Sequence, residues 1–196
     1  MYFTIAGEGD LDLAVAEKIL RCYGGKVVAA HNKGGCNKLD NALEGFSRAS
    51  AHGMWLVFRD LDRHACPVAL KNQLLPQWTE CPGLLLRIVV TEIEAWLLAD
   101  AQNLAAFLGI ARVLMPPQPE HIIDAKEQVI GLAQRSRHRN IREGLVPRLG
   151  SGAKVGPEYN AVLQKFVWEH WDVTSASQRA PSLARLLNRL DELYGR

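Results

Sequence analysis

Long hydrophobic runs are missing from this chain of 196 residues. No apolar stretch approaches the roughly 18 to 20 residues that a membrane-crossing helix needs. The N-terminus also lacks the succession of charged segment, apolar stretch and small-residue cleavage site that marks a secretory leader. Neither a membrane nor a secreted protein is expected, and the expected location is the cytoplasm. Cysteine is scarce: Cys22, Cys36, Cys66 and Cys81 form no C-x-x-C pair, which argues against a disulfide scaffold, a zinc ribbon and a thioredoxin-type centre. The six histidines are scattered, and His64 near Cys66 is too isolated to make a zinc site. An excess of one charge is absent as well, since the net charge is only +2. Residues 1–110 hold 10 Lys and Arg against 12 Asp and Glu, while residues 111–196 hold 13 against 9. A basic coat is thereby excluded, and any contact with nucleic acid has to be local.

What is present reads as one ordinary globular chain, 48% hydrophobic and 22% charged. Tyr2–Ala6 is β-rich and runs through Gly7-Glu8-Gly9 into Asp10–Tyr23, where Leu11, Val15, Ile19 and Leu20 recur at helical spacing. Lys26–Ala30 reads as a second strand, and Leu39, Leu43 and Phe46 mark a second helix. Met54–Phe58 is almost wholly apolar, as in a strand buried on both faces of a parallel sheet. Pro67–Trp78 supports a third helix, Leu84–Val90 a fourth strand and Glu92–Phe107 a long fourth helix. This alternation predicts an α/β fold with an open, mostly parallel four-stranded sheet flanked by helices over about residues 1–110. Residues 111–196 read as a helical C-terminal extension packed on that core. Within it Asp124–Ala133, Tyr159–Trp168 and Pro181–Tyr194 are the expected helices, and Gly150–Gly156 is a loop. The leucine stripe of the last helix suits an internal core and a dimer interface equally, so the sequence leaves the oligomeric state open.

Open α/β sheets bind ligands beyond the carboxyl ends of their strands. Here those ends carry Glu8, then His31-Asn32-Lys33, then Asp60 and Asp62, then Glu92 and Glu94. Acids dominate three of the four. Asp60 and Asp62 stand two residues apart, which on extended chain puts both carboxylates on one side with α-carbons roughly 6.5 to 7 Å apart. Such a pair repels itself unless a metal ion or a base neutralises it. Glu8 and Asp12 form a second acidic pair, although acids at a helix N-terminus are also common for dipole reasons, and Asp10 suits an N-cap. Thr91 and Glu94 have the spacing of a T-x-x-E capping box. Gly7-Glu8-Gly9 fails the dinucleotide fingerprint: Asp12 takes the third glycine's place and Glu8 adds negative charge where a pyrophosphate would rest. Arg135, Arg137, Arg139 and Arg142 make the basic stretch best suited to a phosphate backbone, where contacts position a strand without reading its sequence.

An acid in a glycine-bearing turn after strand one, with Asp12 four residues on and Asp60-Leu61-Asp62 after strand three, resembles the TOPRIM domain of topoisomerases, primases and overcoming-lysogenization-defect nucleases. The interval of about fifty residues agrees too. Glu92-Ile93-Glu94-Ala95-Trp96 is similar to a stretch in small bacterial TOPRIM-like proteins of unassigned function, often encoded beside an ABC-type ATPase. The resemblance covers about residues 1–110. It implies Glu8 as metal ligand or general acid/base, Asp12 at a second metal, and Asp60 and Asp62 holding the catalytic cation, with Glu92 and Glu94 as further candidates. All-oxygen ligands favour Mg²⁺ or Mn²⁺ over zinc. A lysine or arginine assists in the related nucleases, and Lys33, Arg63, Lys126 and Lys154 are on offer. The expectation is a metal-dependent nuclease, in a bacterial defence or toxin system with an ATPase partner. The alternatives are a non-catalytic binding or regulatory subunit, and a small-molecule phosphotransfer enzyme on the same acidic site.

Overall fold

The computed structural model describes residues 1–75 and 82–196. Four parallel strands, β1 (Tyr2–Gly7), β2 (Lys26–Asn32), β3 (Met54–Asp60) and β4 (Leu84–Val89), form one sheet in the order β2-β1-β3-β4. The predicted α/β architecture is the observed one. Each strand sits where a strand was read, and two of them, β2 and β3, extend past the apolar run into the polar residues that follow. From β1 the chain steps outward to the edge strand β2, then returns across β1 to β3. The order therefore reverses between β1 and β3, where the carboxyl ends leave a crevice.

Three helices cover the sheet: α1 (Asp10–Cys22), α2 (Cys36–Ala49) and α3 (Pro67–Leu74). The expected extension of the third helix to Trp78 falls partly outside the described residues, as does Cys81. The connections through α1 and α2 run in opposite senses across the sheet, so right-handed crossover puts them on opposite faces. Leu39, Leu43 and Phe46 of α2 lie at i, i+4 and i+7 and bury one stripe. That stripe packs with Ala6, Val57, Leu86 and Leu70 in one cluster. The alternate residues of β1, Phe3 and Ile5, are wholly buried toward the other face.

Packing divides the chain into two compact units, Met1–Val90 with Leu186–Arg196, and Thr91–Arg185. The boundary thus falls at the end of β4 and again inside the last helix, α10 (Pro181–Tyr194). In the first unit the Tyr23 hydroxyl donates to the carbonyl of Leu187 at 3.1 Å and to Asp191 at 2.9 Å. Leu183, Leu186 and Leu190 of the leucine stripe are fully buried within the chain.

The second unit contains α4 (Ile93–Ala99), α5 (Ala101–Leu108), α6 (Ala125–Gln134), α7 (Arg139–Leu145), α8 (Tyr159–Glu169) and α9 (Val173–Ser177). The single helix expected over 92–107 is two helices. Asp100 divides them: it is fully buried, and its carboxylate accepts from the Asn103 side chain and from the Asp172 N–H, both at 2.8 Å. A carboxylate capping α5 and holding a distant amide is worth more than one further helical turn. α7 and α9 were not foreseen, because seven and five residues are too few to show a period. Among the described residues no helix is long and apolar enough to cross a membrane.

A polar chain is buried in this unit. The Trp96 indole N–H donates to Ser182 Oγ at 2.7 Å, and Glu120 accepts from the Ser182 hydroxyl at 2.5 Å and from its N–H at 2.9 Å, capping the start of α10. Burial raises the Glu120 carboxyl above its ordinary 4.5, against the hydrogen bonds from Ser182 that lower it. The folded chain therefore holds this proton to a higher pH than the unfolded chain, so the stability linked to it falls as pH rises from about 4.5 through the raised value. Glu120→Gln keeps an acceptor and removes the titration. Urea denaturation of both proteins across that window should show a shallower decline in the variant, whereas parallel curves would mean that Glu120 is ionised throughout.

Candidate acidic site at the sheet mouth

Gly7 ends β1 because nothing larger fits: a Cβ there would lie 2.5 Å from the Asp12 Cβ. The turn that follows starts α1 from Gly9, whose N–H donates to Asp12 Oδ2 at 2.9 Å. Asp12, only 4% exposed, thus caps the first turn of α1. Asp10 is not the cap; it accepts from the Asn32 side chain at 2.6 Å. The loop after β2 closes over the same turn, with Lys33 N–H donating to the Gly7 carbonyl at 3.1 Å and Gly35 N–H to the Glu8 carbonyl at 2.9 Å. Gly34 and Gly35 have φ of 67° and 116°, a region that side-chain-bearing residues rarely enter. Glu8 is thereby held between two strand ends.

The third strand end meets it. Asp60 N–H donates to Glu8 Oε1 at 3.1 Å, joining residues 52 apart in sequence. One residue earlier, Arg59 points its guanidinium into the same place with a side chain only 4% exposed. Its Nε donates to Asp40 Oδ1 at 2.9 Å and Nη2 to Asp40 Oδ2 at 3.3 Å. Nη1 donates to Glu8 Oε1 at 3.3 Å, to Asp62 Oδ2 at 2.7 Å and to the Asp60 carbonyl. Asp62 reaches this nitrogen from a left-handed backbone at φ 51°, the one side-chain-bearing position with positive φ among the described residues. Burial raises the Glu8 carboxyl even though the Arg59 charge pulls it down. Burial would lower the Arg59 guanidinium, but hydrogen bonds to Asp40 and Asp62 and the charge of Glu8 hold it above its ordinary value.

The structure thus brings Glu8, the Asp60 backbone and Asp62 to one strand-end mouth and adds three details. The Asp60-Leu61-Asp62 segment is not an extended pair, because Asp60 closes β3 and Asp62 lies in a turn. Asp12 is engaged in the α1 cap. Glu92 and Glu94 belong to the second unit, where they have their own partners. Glu92 precedes α4 and accepts Lys126 N–H at 2.9 Å, and burial raises its carboxyl. Glu94, 2% exposed, accepts from the Tyr159 hydroxyl at 3.0 Å and pairs with Lys126 Nζ at 3.7 Å. No Thr91–Glu94 capping box forms, since the Thr91 hydroxyl donates instead to the Ile122 carbonyl at 2.7 Å.

Sequence reasoning missed Arg59 and Asp40. The available signal was a lone cation inside the apolar run MWLVFRD, a residue that can be buried only if carboxylates meet it. Of the other candidate cations, Lys33 lies with its nitrogen 5.7 Å from the Phe46 ring centre, while Arg63 and Lys154 are exposed. Arg135, Arg137 and Arg139 are exposed on the second unit, Arg139 pairing with Glu143 at 2.8 Å. Arg142 is half-buried and donates to the Ser136 carbonyl, so it builds the turn between α6 and α7.

The anionic donors of this mouth are all carboxylate oxygens, the type a hard divalent cation prefers, and the Arg59 guanidinium stands among them. Arg59 Nη1 marks the point, for Glu8 and Asp62 already converge on that one positive nitrogen. No group of three or more His, Cys, Asp or Glu among the described residues is arranged to hold a metal ion. Comparison of the chain with family models, curated proteins and solved structures gave no match.

Arg59→Met leaves Glu8, Asp40 and Asp62 facing one another with no cation. At neutral pH this should cost about 2 kcal/mol, below the usual figure for a broken buried pair because the partners are partly solvated. Without Arg59 the Glu8 carboxyl, already raised by burial, loses the charge that pulls it down and holds its proton to higher pH, so the loss should shrink toward about pH 4. Urea unfolding of both proteins at the two pH values checks this, and an equal loss at both would assign the effect to packing alone.

Proposed function

We propose that the chain is a TOPRIM-like phosphodiester hydrolase dependent on Mg²⁺ or Mn²⁺. One observation carries the reading. Glu8, Asp40 and Asp62 meet on a single guanidinium beside Asp60, at the crevice where strand order reverses, leaving more negative than positive charge in a half-buried place. That excess suits a divalent cation held by Glu8, Asp60 and Asp62. When bound, such an ion supplies Lewis-acid charge at the phosphoryl oxygens and acidity for an attacking water. The chain's own residues do the positioning. Arg59 and the Asp60 N–H orient Glu8, Asp40 anchors the guanidinium from α2, and the glycines at 34 and 35 let the loop close behind Glu8. The exposed Arg135, Arg137 and Arg139 are the surface on offer to a phosphate backbone. An ABC-type ATPase partner, a role in bacterial defence and a cytoplasmic location belong to this reading through the resemblance.

A second reading has an observation of its own. Because Arg59 already neutralises part of the acidic mouth, the same fold can serve as a binding subunit that cleaves nothing. Incubation of labelled single-stranded DNA and RNA with millimolar Mn²⁺ separates the two. The hydrolase reading expects metal-dependent cleavage that falls about 100-fold or more in Asp60→Asn, at an unchanged urea midpoint. Binding without cleavage would favour the subunit, and turnover of a small phosphoester alone would favour phosphotransfer. Cleavage unaffected by Asp60→Asn would remove the acidic mouth from the chemistry.

A further inference from the structure

Three aromatic rings stack along one face of the sheet and take no part in the acidic mouth. Phe46 of α2 and Trp55 of β3 stack with ring centres 4.6 Å apart, and His31 of β2 lies nearly parallel to Trp55, at 5.5 Å and 9°. Burial decreases along the series: Phe46 is 9% exposed, Trp55 is half-buried and His31 is exposed. The series ends in solvent because β2 is the edge strand and pairs only with β1. The next residue on the same face of β2 is Ala29, whose methyl leaves the space beside the imidazole open.

His31 is also tied to the site. It pairs with Ala6, and the two residues after it enter the loop that closes over Gly7 and Glu8. Lys33 projects from that loop over Phe46, and Lys38 stands exposed at the first turn of α2. A flat π surface with the Lys33 ammonium beside it matches a planar base joined to a phosphate. An apolar peptide side chain would have no use for the cation.

We propose that His31, backed by Trp55, is a stacking platform for one unpaired base of a single-stranded nucleic acid, which places the strand next to the acidic mouth. The inference rests on the hydrolase reading for its substrate class, but not on metal or cleavage. Stacking on an aromatic face tolerates any base and excludes a duplex, whose bases are already stacked.

The test is binding in EDTA by fluorescence anisotropy. The probes are a labelled single strand as DNA and as RNA, an abasic strand of the same length, and the corresponding duplex. His31→Ala should weaken single-strand binding about 10-fold, and His31→Phe should restore it to within about twofold. The abasic strand should bind wild type as poorly as the intact strand binds His31→Ala, and duplex binding should not change. Unchanged melting of His31→Ala sets folding aside, as expected for an exposed residue. Equal single-strand binding by wild type and His31→Ala would overturn the proposal, as would equal losses for single strand and duplex, or no single-strand binding by wild type. Base-dependent binding at His31 without Mn²⁺-dependent cleavage would sustain the platform and sink the hydrolase reading alone.

Discussion

A buried guanidinium cannot stand without anions, and Arg59 obliges three separate parts of the chain to supply them. Glu8 comes from the turn after β1, Asp40 from α2, and Asp62 from the turn after β3. Each contact fixes a backbone feature in turn. The Glu8 position needs a glycine before it and a glycine-bearing loop behind it, and Asp62 adopts a positive φ to reach its partner. The crevice follows from the topology of parallel strands, whereas its chemistry follows from this one cation. Charge on both sides sets the behaviour of the site: a base is present that moderates carboxylate repulsion, yet it does not balance the acids that face it.

Much of this was legible because parallel strands announce themselves as apolar runs, and because the residues after such runs must gather at one edge. That logic put Glu8, Asp60 and Asp62 at the carboxyl edge of the sheet, while the strand order itself came from the structure. It missed Arg59 because a charged residue inside a strand reads as a strand end, and Asp40 because an acid on a helix reads as a solvated face. It offered Asp12, Glu92 and Glu94 on position alone, and could not see the partners their carboxylates have: the N–H of Gly9, the N–H of Lys126 and the Tyr159 hydroxyl. The break at Asp100 was hidden for the same reason, since its partner Asp172 lies 72 residues away and no local pattern reports it.

The second unit shows how buried polar groups can imitate a site. Glu94, Tyr159 and Lys126 join α4, α8 and α6, while Trp96, Ser182 and Glu120 close the start of α10. Both arrangements satisfy groups that burial would otherwise penalise, and both lie inside the unit. The exposed arginines at 135, 137 and 139 differ, since water meets them directly. The buried acids of this unit hold its helices together, and its exposed cations face water.

The central claim is that the mouth around Arg59 accepts a divalent cation through Glu8, Asp60 and Asp62. Its most direct test is a titration of Mn²⁺ followed by the electron paramagnetic resonance signal of the free ion. The account predicts that wild type removes about one ion per chain from the free signal, and that Asp60→Asn, which leaves the three carboxylates on Arg59 in place, removes none. Equal uptake by both proteins, or uptake by neither, would contradict it and leave Arg59 as the permanent and only cation of the site.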